Sequence, residues 1–524
     1  MKRLTPETEG KLRELRALES WGRLDERRRL LAEIASSNEV LAVTHLAPLL
    51  LDSRLASAAA AAIHQLMYPA SQRELQMLHE SRGYAHAHGS WPNLKPSELD
   101  RFDYDGEESV SLLGLASFHM SGFVREQAVK KLAGRQEDRV PVFLSLRVND
   151  WVPQVRARAV TALLAPIDDA GLKRVALALP TIERLRLARR VDHRTTIDAI
   201  HRSLRSQSDL AALRRATESA DRWVRRSAYR LLWSLDDERA ADFASSALND
   251  RDLVVRTEAA RRVLAERPNA TTLRELSRSR VAAIRRLVLR HLIAHSDGAE
   301  PLVPFLDDES PGIRSVARFY LRRRSFVEFA PHYRARLKRT TARELATAIR
   351  GLSETGEEND LEALESFLAS PTTKVRCAAV VAFDRLSGRD TREPFVTMLA
   401  DGRASVSNAA RSALSRRSHM LSGDWFAPFL REGSAAHVTQ NVILLIGARS
   451  KWGALQGLLQ ALRSEIAVAR VNKAIECWIS AAGRSFVTPS VTESAAIREE
   501  LAQPSPHLGV SVSTLRLALK GWID

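Results

Sequence analysis

The sequence predicts an all-α protein in which helix–turn–helix units follow one another as an α-solenoid. Three observations lead to this prediction: an Arg recurs with a period near 30 residues, apolar residues in each copy have helical spacing, and an acidic residue stands just before most copies. Periods of this length are typical of stacked repeats, in which each unit buries its apolar face against its neighbours.

The period is measured by an Arg that follows an apolar residue in every clear copy. This Arg occupies seven positions: Arg125, Arg156, Arg225, Arg256, Arg285, Arg314 and Arg376. The successive gaps are 31, 69, 31, 29, 29 and 62 residues, so each of the two long gaps has room for one degenerate copy. We place these copies at residues 181–190 and 340–352, and Ser407 takes the Arg place one period after Arg376.

The stretch NDWVPQVRARAVTALL, residues 149–164, shows what each copy encodes. Val155, Ala159 and Leu163 are four residues apart and therefore share one face of a helix, where the small Ala lets a second helix approach closely. Asp150 stands just ahead, where a carboxylate can accept the free N–H groups of a helix start. Arg156 lies on the flank, where its planar guanidinium can bind oxygens of the next repeat. We therefore interpret the seven recurring Arg residues as structural ties between repeats.

The same pattern resembles the HEAT repeat, specifically the short HEAT-like variety of phycobilisome-lyase-type proteins. The residues that carry the resemblance are Asp150, Val155, Arg156 and Ala159; Asp221, Val224, Arg225 and Ala228; Asp250, Val255, Arg256 and Ala259; and Asp308, Ile313, Arg314 and Ala317. The resemblance covers about residues 40–480 and implies a curved solenoid whose second helices line the concave side. It also implies a binding scaffold, because that is the main role of the family.

Breaks in the repeat pattern divide the chain into five predicted segments. We expect an N-terminal helical cap at 1–37, a first repeat at 38–66, an aromatic and Pro-containing insertion at 67–118, the HEAT-like array at 119–482, and a C-terminal cap or tail at 483–524.

The insertion is the first of two predicted binding regions. Insertions in repeat arrays fall in loops on one face, often the binding face, although a packed capping loop would explain this one as well. Its candidate partner-binding residues are Tyr84, Trp91, Phe102 and Tyr104. It also holds His79, His86 and His88, but their spacing matches no standard zinc site and no Cys is near, so no metal is expected.

The charge of the chain favours acidic partners. Its 524 residues contain 79 Lys and Arg against 63 Asp and Glu, a formal net charge of +16. Such a surplus favours nucleic acid, an anionic protein surface or anionic lipid. With only two cysteines, Cys377 and Cys477, a disulfide framework is excluded, and we expect both to be buried as small apolar residues.

A basic stripe is the second predicted binding region. Residues two and six positions after the apolar residue of the motif lie opposite the buried face of the second helix. Basic residues on that outer side are Lys130, Arg226, Arg230, Arg261, Arg286, Arg290 and Arg322. They predict a basic ladder on the concave face, although an Arg-rich chain can also carry such residues as a merely solvated face.

Two classes of function remain open from the sequence. The first is a non-enzymatic scaffold that binds a protein partner, most simply an acidic one. The second is a nucleic-acid binder that sets Arg against phosphates. A variant of the second is a DNA glycosylase of the DNA-alkylation-repeat type, because DRWVRRSAYRLLW loosely resembles that family at Trp223, Arg225 and Arg226. Trp151, Trp223 and Trp233 are its candidate aromatics, with inter-repeat packing as the alternative role.

Catalytic motifs are absent from the sequence. It has no phosphate-binding G-x-x-x-x-G-K-[ST] loop, no H-E-x-x-H, no G-x-S-x-G and no C-x-x-C pair, so we predict no catalytic residue and no cofactor. The N-terminus lacks the apolar run of a signal peptide, and no apolar segment is long enough to cross a bilayer. We therefore expect a cytoplasmic protein.

Overall fold

Helices are the only regular elements in the part of the chain that the structure describes. This computed structural model describes residues 4–18, 23–80, 91–102, 106–165, 168–206, 210–235, 239–266, 268–326, 328–339, 341–388, 390–418, 421, 425–503 and 506–523. The chain divides into two compact units, Met1–Leu276 and Ser277–Asp524.

Unit 1 begins with a helical pair and continues through the first half of the repeat array. Its α-helices are α1 Pro6–Ala17, α2 Leu24–Ala35, α3 Val43–Leu46, α4 Ala56–Met67, α5 Gln72–Glu80, α6 Gly106–Ala116, α7 Gly122–Ala133, α8 Val140–Arg147, α9 Pro153–Leu164, α10 Asp169–Leu177, α11 Leu179–Arg184, α12 Arg194–Ser206, α13 Ala211–Thr217, α14 Arg222–Leu232, α15 Arg239–Ala247, α16 Leu253–Ala265 and α17 Ala270–Ser277, which ends at the boundary. Short 3-10 helices lie at Val40–Ala42, Ala47–Leu51, Trp91–Asn93, Pro96–Phe102 and Leu185–Leu187.

Unit 2 carries the second half of the array and the C-terminal helices. Its α-helices are α18 Ala282–His295, α19 Pro311–Arg323, α20 Phe329–Arg336, α21 Ala342–Thr355, α22 Leu361–Glu365, α23 Thr373–Leu386, α24 Glu393–Leu399, α25 Ala404–Ser415, α26 Ala436–Gly447, α27 Lys451–Leu462, α28 Val468–Ala482, α29 Val491–Ala502 and α30 Val512–Leu519. Its 3-10 helices lie at Glu300–Asp307, Glu358–Asp360, Ser366–Ala369 and Ala427–Phe429.

Within each unit, a shorter first helix packs against the longer second helix of its repeat. In unit 1, α8 packs against α9, α13 against α14 and α15 against α16; in unit 2, α20 packs against α21 and α24 against α25. Val155, Ala159 and Leu163 of α9 are all buried, as their spacing requires. The predicted fold class, an all-α solenoid of helix–turn–helix repeats, is confirmed within each unit.

Proline and glycine explain two local features of the pairs in unit 2. The first helix of the pair that ends in α19 is a 3-10 helix, Glu300–Asp307, because Pro304 inside it has no N–H to donate to an α-helical hydrogen bond. At Gly351 of α21, an added Cβ would overlap the ring of Tyr333 on α20. The missing side chain is what allows this pair to approach so closely.

The helix α5 contacts helices that lie far from it in the sequence. Gln72 donates through Nε2 to the carbonyl oxygen of Leu177 at 2.6 Å, and its Oε1 accepts hydrogen bonds from the backbone N–H and the hydroxyl of Thr181. On the same helix, a ring nitrogen of His79 lies 2.6 Å from Nη2 of the buried Arg147. This part of the predicted insertion is therefore fixed against helices about 70 to 110 residues later.

Two further expectations concern membranes and cysteines. Among the described residues, no helix has both the length and the apolar character needed to cross a membrane. The expectation that both cysteines are buried is wrong for Cys477, which is exposed, and Cys377 is only half-buried. Cys477 lies on α28 two positions past the buried Ile475, on the side of the helix that faces solvent.

Candidate functional site

In unit 1, the recurring Arg joins successive repeats through a buried ion pair. Arg125 donates from Nε and Nη2 to both carboxylate oxygens of Asp150, at 2.9 and 2.8 Å, and both side chains are fully buried. Its Nη1 donates to the carbonyl oxygens five and six residues earlier, ahead of its own helix. Arg225 makes the corresponding carbonyl contacts through Nη1 and reaches Asp250 through Nε, at 3.1 and 3.2 Å from the two carboxylate oxygens. A planar guanidinium suits this role because it binds a carboxylate with two parallel hydrogen bonds.

In unit 2, the same tie occurs at two further positions. Arg285 donates to Asp308 at 2.6 and 2.8 Å, and Arg376 donates to Asp401 at 2.8 and 3.1 Å. The partner carboxylate follows its Arg by 25 residues for Arg125, Arg225 and Arg376, and by 23 for Arg285. The tie therefore spans most of one repeat.

Arg314 has a different carboxylate, which lies 40 residues later. Its Nε and Nη2 donate to Glu354 at the end of α21, and Nη1 of Arg318 donates to the same carboxylate at 2.7 Å. Burial of Glu354 opposes its ionisation, but the hydrogen bonds and charges of Arg314 and Arg318 outweigh that effect and lower its pKa below the usual value. The carboxylate is therefore charged at neutral pH and pairs with two buried or nearly buried guanidinium groups.

The motif Asp residues act mainly on the turn before each second helix. Asp150 accepts the N–H of Val152 through Oδ1, and Asp250 and Asp308 each accept the N–H two residues later in the same way. Only Asp221 is itself the N-cap residue, of α14, and accepts the N–H of Trp223. The carboxylate of Asp150 thus serves two purposes, because it fixes its own turn and receives the Arg of the previous repeat.

Three motif positions depart from this arrangement. Arg156 donates to the carbonyl oxygen of Asp150 at 2.8 Å and has no ion pair with any described residue. Nε of Arg256 is buried and has no hydrogen-bond partner in the described part of the chain; in the sequence, Ser279 stands where the next copy would have its Asp. Ser407, in the Arg place, donates to the carbonyl oxygen of Leu399 instead.

In unit 1, the basic-stripe residues differ in how much free charge they present. Arg226 donates to both oxygens of Asp252, and Arg230 lies 2.5 Å from Glu183. Arg261 is exposed and pairs with Glu258 on its own helix, and Lys130 is exposed with no ion pair among the described residues. Intramolecular carboxylates therefore offset much of the stripe charge in this unit.

In unit 2, the stripe residues are more open. Arg286 and Arg290 lie one turn apart on α18, are exposed, and pair with no carboxylate of the described residues. Arg322 is exposed at the end of α19, with its guanidinium 5.3 Å from the ring centroid of Phe329. Arg286 and Arg290 thus form the clearest uncompensated basic pair of the stripe.

Of the four aromatic binding candidates in the insertion, Trp91 and Phe102 lie in the described part of the chain, and both are buried in unit 1. Trp91 and Phe102 are each 1% exposed and stack on one another, with ring centroids 6.2 Å apart. A partner that binds this segment would therefore contact residues other than Trp91 and Phe102. Tyr84 and Tyr104, like His86 and His88, lie outside the described residues. No group of three potential metal ligands occurs in the described ranges.

A basic cavity of about 780 Å³ lies in unit 1, and the periodic pattern did not predict it. It is lined by α5, α11 with the following 3-10 turn, α12 and α14. Its charged and histidine residues are Arg73, Arg184, Arg186, Arg205, Arg226, Arg230, His201, Glu183 and Asp221. Only Arg226 and Arg230 were predicted as binding residues. Arg73, His201 and Arg205 lie on helices without the motif, and Glu183, Arg184 and Arg186 lie in the degenerate copy at 181–190, so repeat spacing did not mark them as binding residues.

His201 is the buried polar group of this cavity. It is 6% exposed, and its Nε2 is buried and has no hydrogen-bond partner among the described residues. Burial, followed by the charges of Arg186 and Arg205, lowers the pKa of His201 to about 4. The imidazole is therefore neutral at pH 7, and its buried Nε2 lacks a hydrogen-bond partner among the described residues.

This pKa predicts a pH-dependent contribution of His201 to stability. Between about pH 6.5 and about pH 4, the unfolded chain binds a proton at His201 that the folded chain does not. The free energy of unfolding should therefore fall as the pH falls through this window, by up to about 3 kcal/mol at one side chain. Denaturant unfolding at pH 7.0 and 4.5 should show a smaller loss in His201→Leu than in the wild type. Equal losses would mean that His201 titrates normally.

The three tryptophans of the glycosylase variant are not brought together at this cavity. Trp223 lines it and is 40% exposed, whereas Trp151 and Trp233 are not among its lining residues. Trp151 lies under the guanidinium of Arg125, 4.9 Å from the ring centroid, and Trp233 is buried against Tyr229. Trp151 therefore packs between two successive repeats, and Trp233 packs within its own.

Comparisons with known proteins give distant similarities in architecture. No protein-family model and no curated protein matches the chain. Yeast importin-beta (Kap95p) is similar over 94% of this chain and 67% of its own, with 10% identity and a TM-score of 0.38. Kap95p with RanGDP is similar over 98% of this chain and 67% of its own, with 9% identity and a TM-score of 0.36. The karyopherin Kap121p bound to the extreme C-terminus of the protein phosphatase Cdc14p is similar over 95% of this chain and 61% of its own, with 14% identity and a TM-score of 0.31. The chain thus spans about two thirds of these proteins or less, and similarity at this level carries no argument about partners or activity.

Proposed function

We propose that the chain is a non-enzymatic HEAT-repeat scaffold that binds an acidic protein partner through exposed basic residues on the outer side of its second helices. The observation that carries this proposal is the pair Arg286 and Arg290, which are exposed and pair with no carboxylate of the described residues. Lys130 presents a free charge of the same kind in unit 1. Exposed charges without an internal partner attract acidic surfaces at long range and can form new ion pairs on contact.

The repeats themselves belong, in this proposal, to the short HEAT-like variety of phycobilisome-lyase-type proteins. The single gaps of 29 to 31 residues and the recurrent Arg–Asp tie support this assignment. The predicted segments, with the array at 119–482 between caps and an insertion at 67–118, remain part of the proposal.

Charge reversal along the stripe tests the proposed function. The stripe variant combines Lys130→Glu, Arg261→Glu, Arg286→Glu and Arg290→Glu, none of which touches the apolar core. The probes are a labelled poly-glutamate peptide, a single-stranded oligonucleotide and a short duplex, each titrated at several salt concentrations. We expect the wild type to bind poly-glutamate with an affinity that falls as salt rises, and the variant to bind at least about tenfold more weakly.

A control variant carries the same change in net charge at exposed positions outside the stripe. It combines Arg13→Glu, Arg29→Glu, Lys473→Glu and Arg484→Glu. If both variants bind poly-glutamate equally weakly, the loss of affinity depends on net charge alone and the proposal is contradicted. If the wild type binds either oligonucleotide more tightly than poly-glutamate and the stripe variant loses that binding, nucleic acid becomes the favoured partner. The affinity for the oligonucleotide should then fall by roughly 0.7 to 0.9 log units per log unit of salt for each phosphate neutralised.

A further inference from the structure

We propose that the basic cavity of unit 1 holds a short acidic segment of the protein partner, in which carboxylates flank a large apolar side chain. This inference rests on the proposed function, because it names the part of the partner that is recognised. It adds a site whose central residues, Arg73, Arg184, Arg205 and His201, do not belong to the basic stripe.

Uncompensated charge is the first observation that supports an acidic ligand. Six arginines line the cavity against two carboxylates, and the Arg226 and Arg230 side chains already pair with Asp252 and Glu183. Arg73, Arg184 and Arg205 form no ion pair with a described residue. Guanidinium groups that converge on a partly enclosed space focus the field there, and they bind carboxylates through paired hydrogen bonds.

The unpartnered imidazole is the second, independent observation. A buried polar group without a hydrogen bond costs free energy, and such groups in folded proteins are nearly always satisfied. Nε2 of His201 is buried in the cavity wall with no partner among the described residues, and Nε of Arg205 on the same helix is in the same state. A ligand in the cavity can satisfy these two atoms once the side chains of His201 and Arg205 turn toward it.

The remaining wall favours a peptide over a phosphodiester strand. The carboxylates of Glu183 and Asp221 can accept N–H groups, which a peptide backbone offers and a phosphodiester backbone does not. Leu187 is 78% exposed and Trp223 is 40% exposed, so both present apolar surface that a large apolar side chain can cover. The volume of about 780 Å³ lies in the range of sites that enclose a short peptide or a ligand of similar size.

Single charge reversals on the full-length chain test this site. Arg184→Glu changes an exposed cavity residue, and Arg189→Glu, which is exposed and lies outside the cavity lining, is its matched control. Arg205→Glu is compared in the same way with Arg202→Glu on the same helix. The probe is a labelled peptide of Glu and Gly residues with one central Phe, measured by fluorescence anisotropy beside versions in which Gln replaces Glu or Gly replaces Phe.

We expect each cavity reversal to weaken binding of the Glu–Phe peptide by at least about tenfold, and each control by less than about twofold. The Gln and Gly peptides should bind the wild type more weakly than the Glu–Phe peptide, and His201→Leu should weaken binding without a change in charge at pH 7. Equal affinities of Arg184→Glu and Arg189→Glu would overturn the proposal, and so would displacement of the peptide by a single-stranded oligonucleotide at lower concentration than by unlabelled peptide. If Arg205→Glu is poorly folded by circular dichroism, the Arg184 comparison decides alone.

The stripe variant separates this inference from the proposed function. Suppose that the stripe variant loses poly-glutamate binding while all cavity variants bind the Glu–Phe peptide as tightly as the wild type does. That result would contradict the cavity proposal and support the scaffold proposal. If only the cavity variants lose binding of the Glu–Phe peptide, the cavity proposal is supported, and the cavity rather than the stripe is the surface that binds the partner. A wild type that binds neither probe would overturn both.

Discussion

Replacing Asp150 with Ala is expected to lower the free energy of unfolding by about 4–5 kcal/mol, the largest effect of any single substitution in unit 1. The substitution leaves two fully buried guanidinium groups, on Arg125 and Arg147, without their carboxylate. Burial opposes the charge of Asp150, yet the hydrogen bonds of Arg125, the charge of Arg147 and the N–H of Val152 outweigh it and lower its pKa. The carboxylate is therefore ionised in the folded state, and its removal exposes the full cost of the two buried cations.

Thermal and denaturant unfolding followed by circular dichroism measure this effect. The control is Asp100→Ala, which removes the exposed partner of Lys131 and should cost at most about 1 kcal/mol. Replacing all three members with apolar residues, as in Arg125→Met, Arg147→Met and Asp150→Leu together, should restore much of the lost stability. A single variant Asp150→Ala that unfolds like Asp100→Ala would show that the buried ion pair is not the tie.

Glu354→Ala is expected to destabilise unit 2 by about 3–5 kcal/mol. It removes the carboxylate that accepts hydrogen bonds from Arg314, which is 1% exposed, and from Arg318. Arg314 keeps its bonds to the carbonyl oxygens of Asp308 and Glu309, so the helix start survives while the charge is left unpaired.

The exposed Glu362→Ala, on the following helix, is the matched control and should be nearly neutral. The pKa of Glu354 adds a second readout. Its folded-state pKa is lowered, so its stabilisation is present above the ordinary value of 4.5 and is lost as the pH falls through the folded pKa. Wild type and Glu354→Ala should therefore converge in stability in acid, and a constant difference at all pH values would contradict the assignment.

The helix pairs could be predicted because their information is local. Val155, Ala159 and Leu163 lie within one helix, so periodicity alone identifies the face that is buried. The flank position of Arg125 could also be derived from that geometry. Its carboxylate, 25 residues away, follows from the repeat itself once the period is known.

The parts that depend on irregular segments could not be predicted from spacing. Arg314 pairs with Glu354 because the intervening copy is degenerate, and no periodic position marks that carboxylate. The basic cavity needs α5 to pack against helices more than 100 residues later, through contacts such as Gln72 to Thr181. Contacts of such high sequence separation leave no signature in one sequence.

The fixed length of the Arg–Asp tie has a consequence for how the gene can change. Each of the four Arg–Asp ties joins one copy to the turn of the next, so a duplication or deletion of one whole period keeps the separation of Arg and Asp, which is 25 residues for three ties and 23 for that of Arg285. An insertion or deletion of a few residues between the Arg and its Asp would instead leave a buried guanidinium without its carboxylate. Such a change would destabilise the protein and be removed by selection. Copy number can therefore drift by unequal recombination in whole periods, while the length of each period is held constant. The exception is the stretch after Arg314, whose partner lies 40 residues away at a helix end, so length variation among descendants of this gene should collect there.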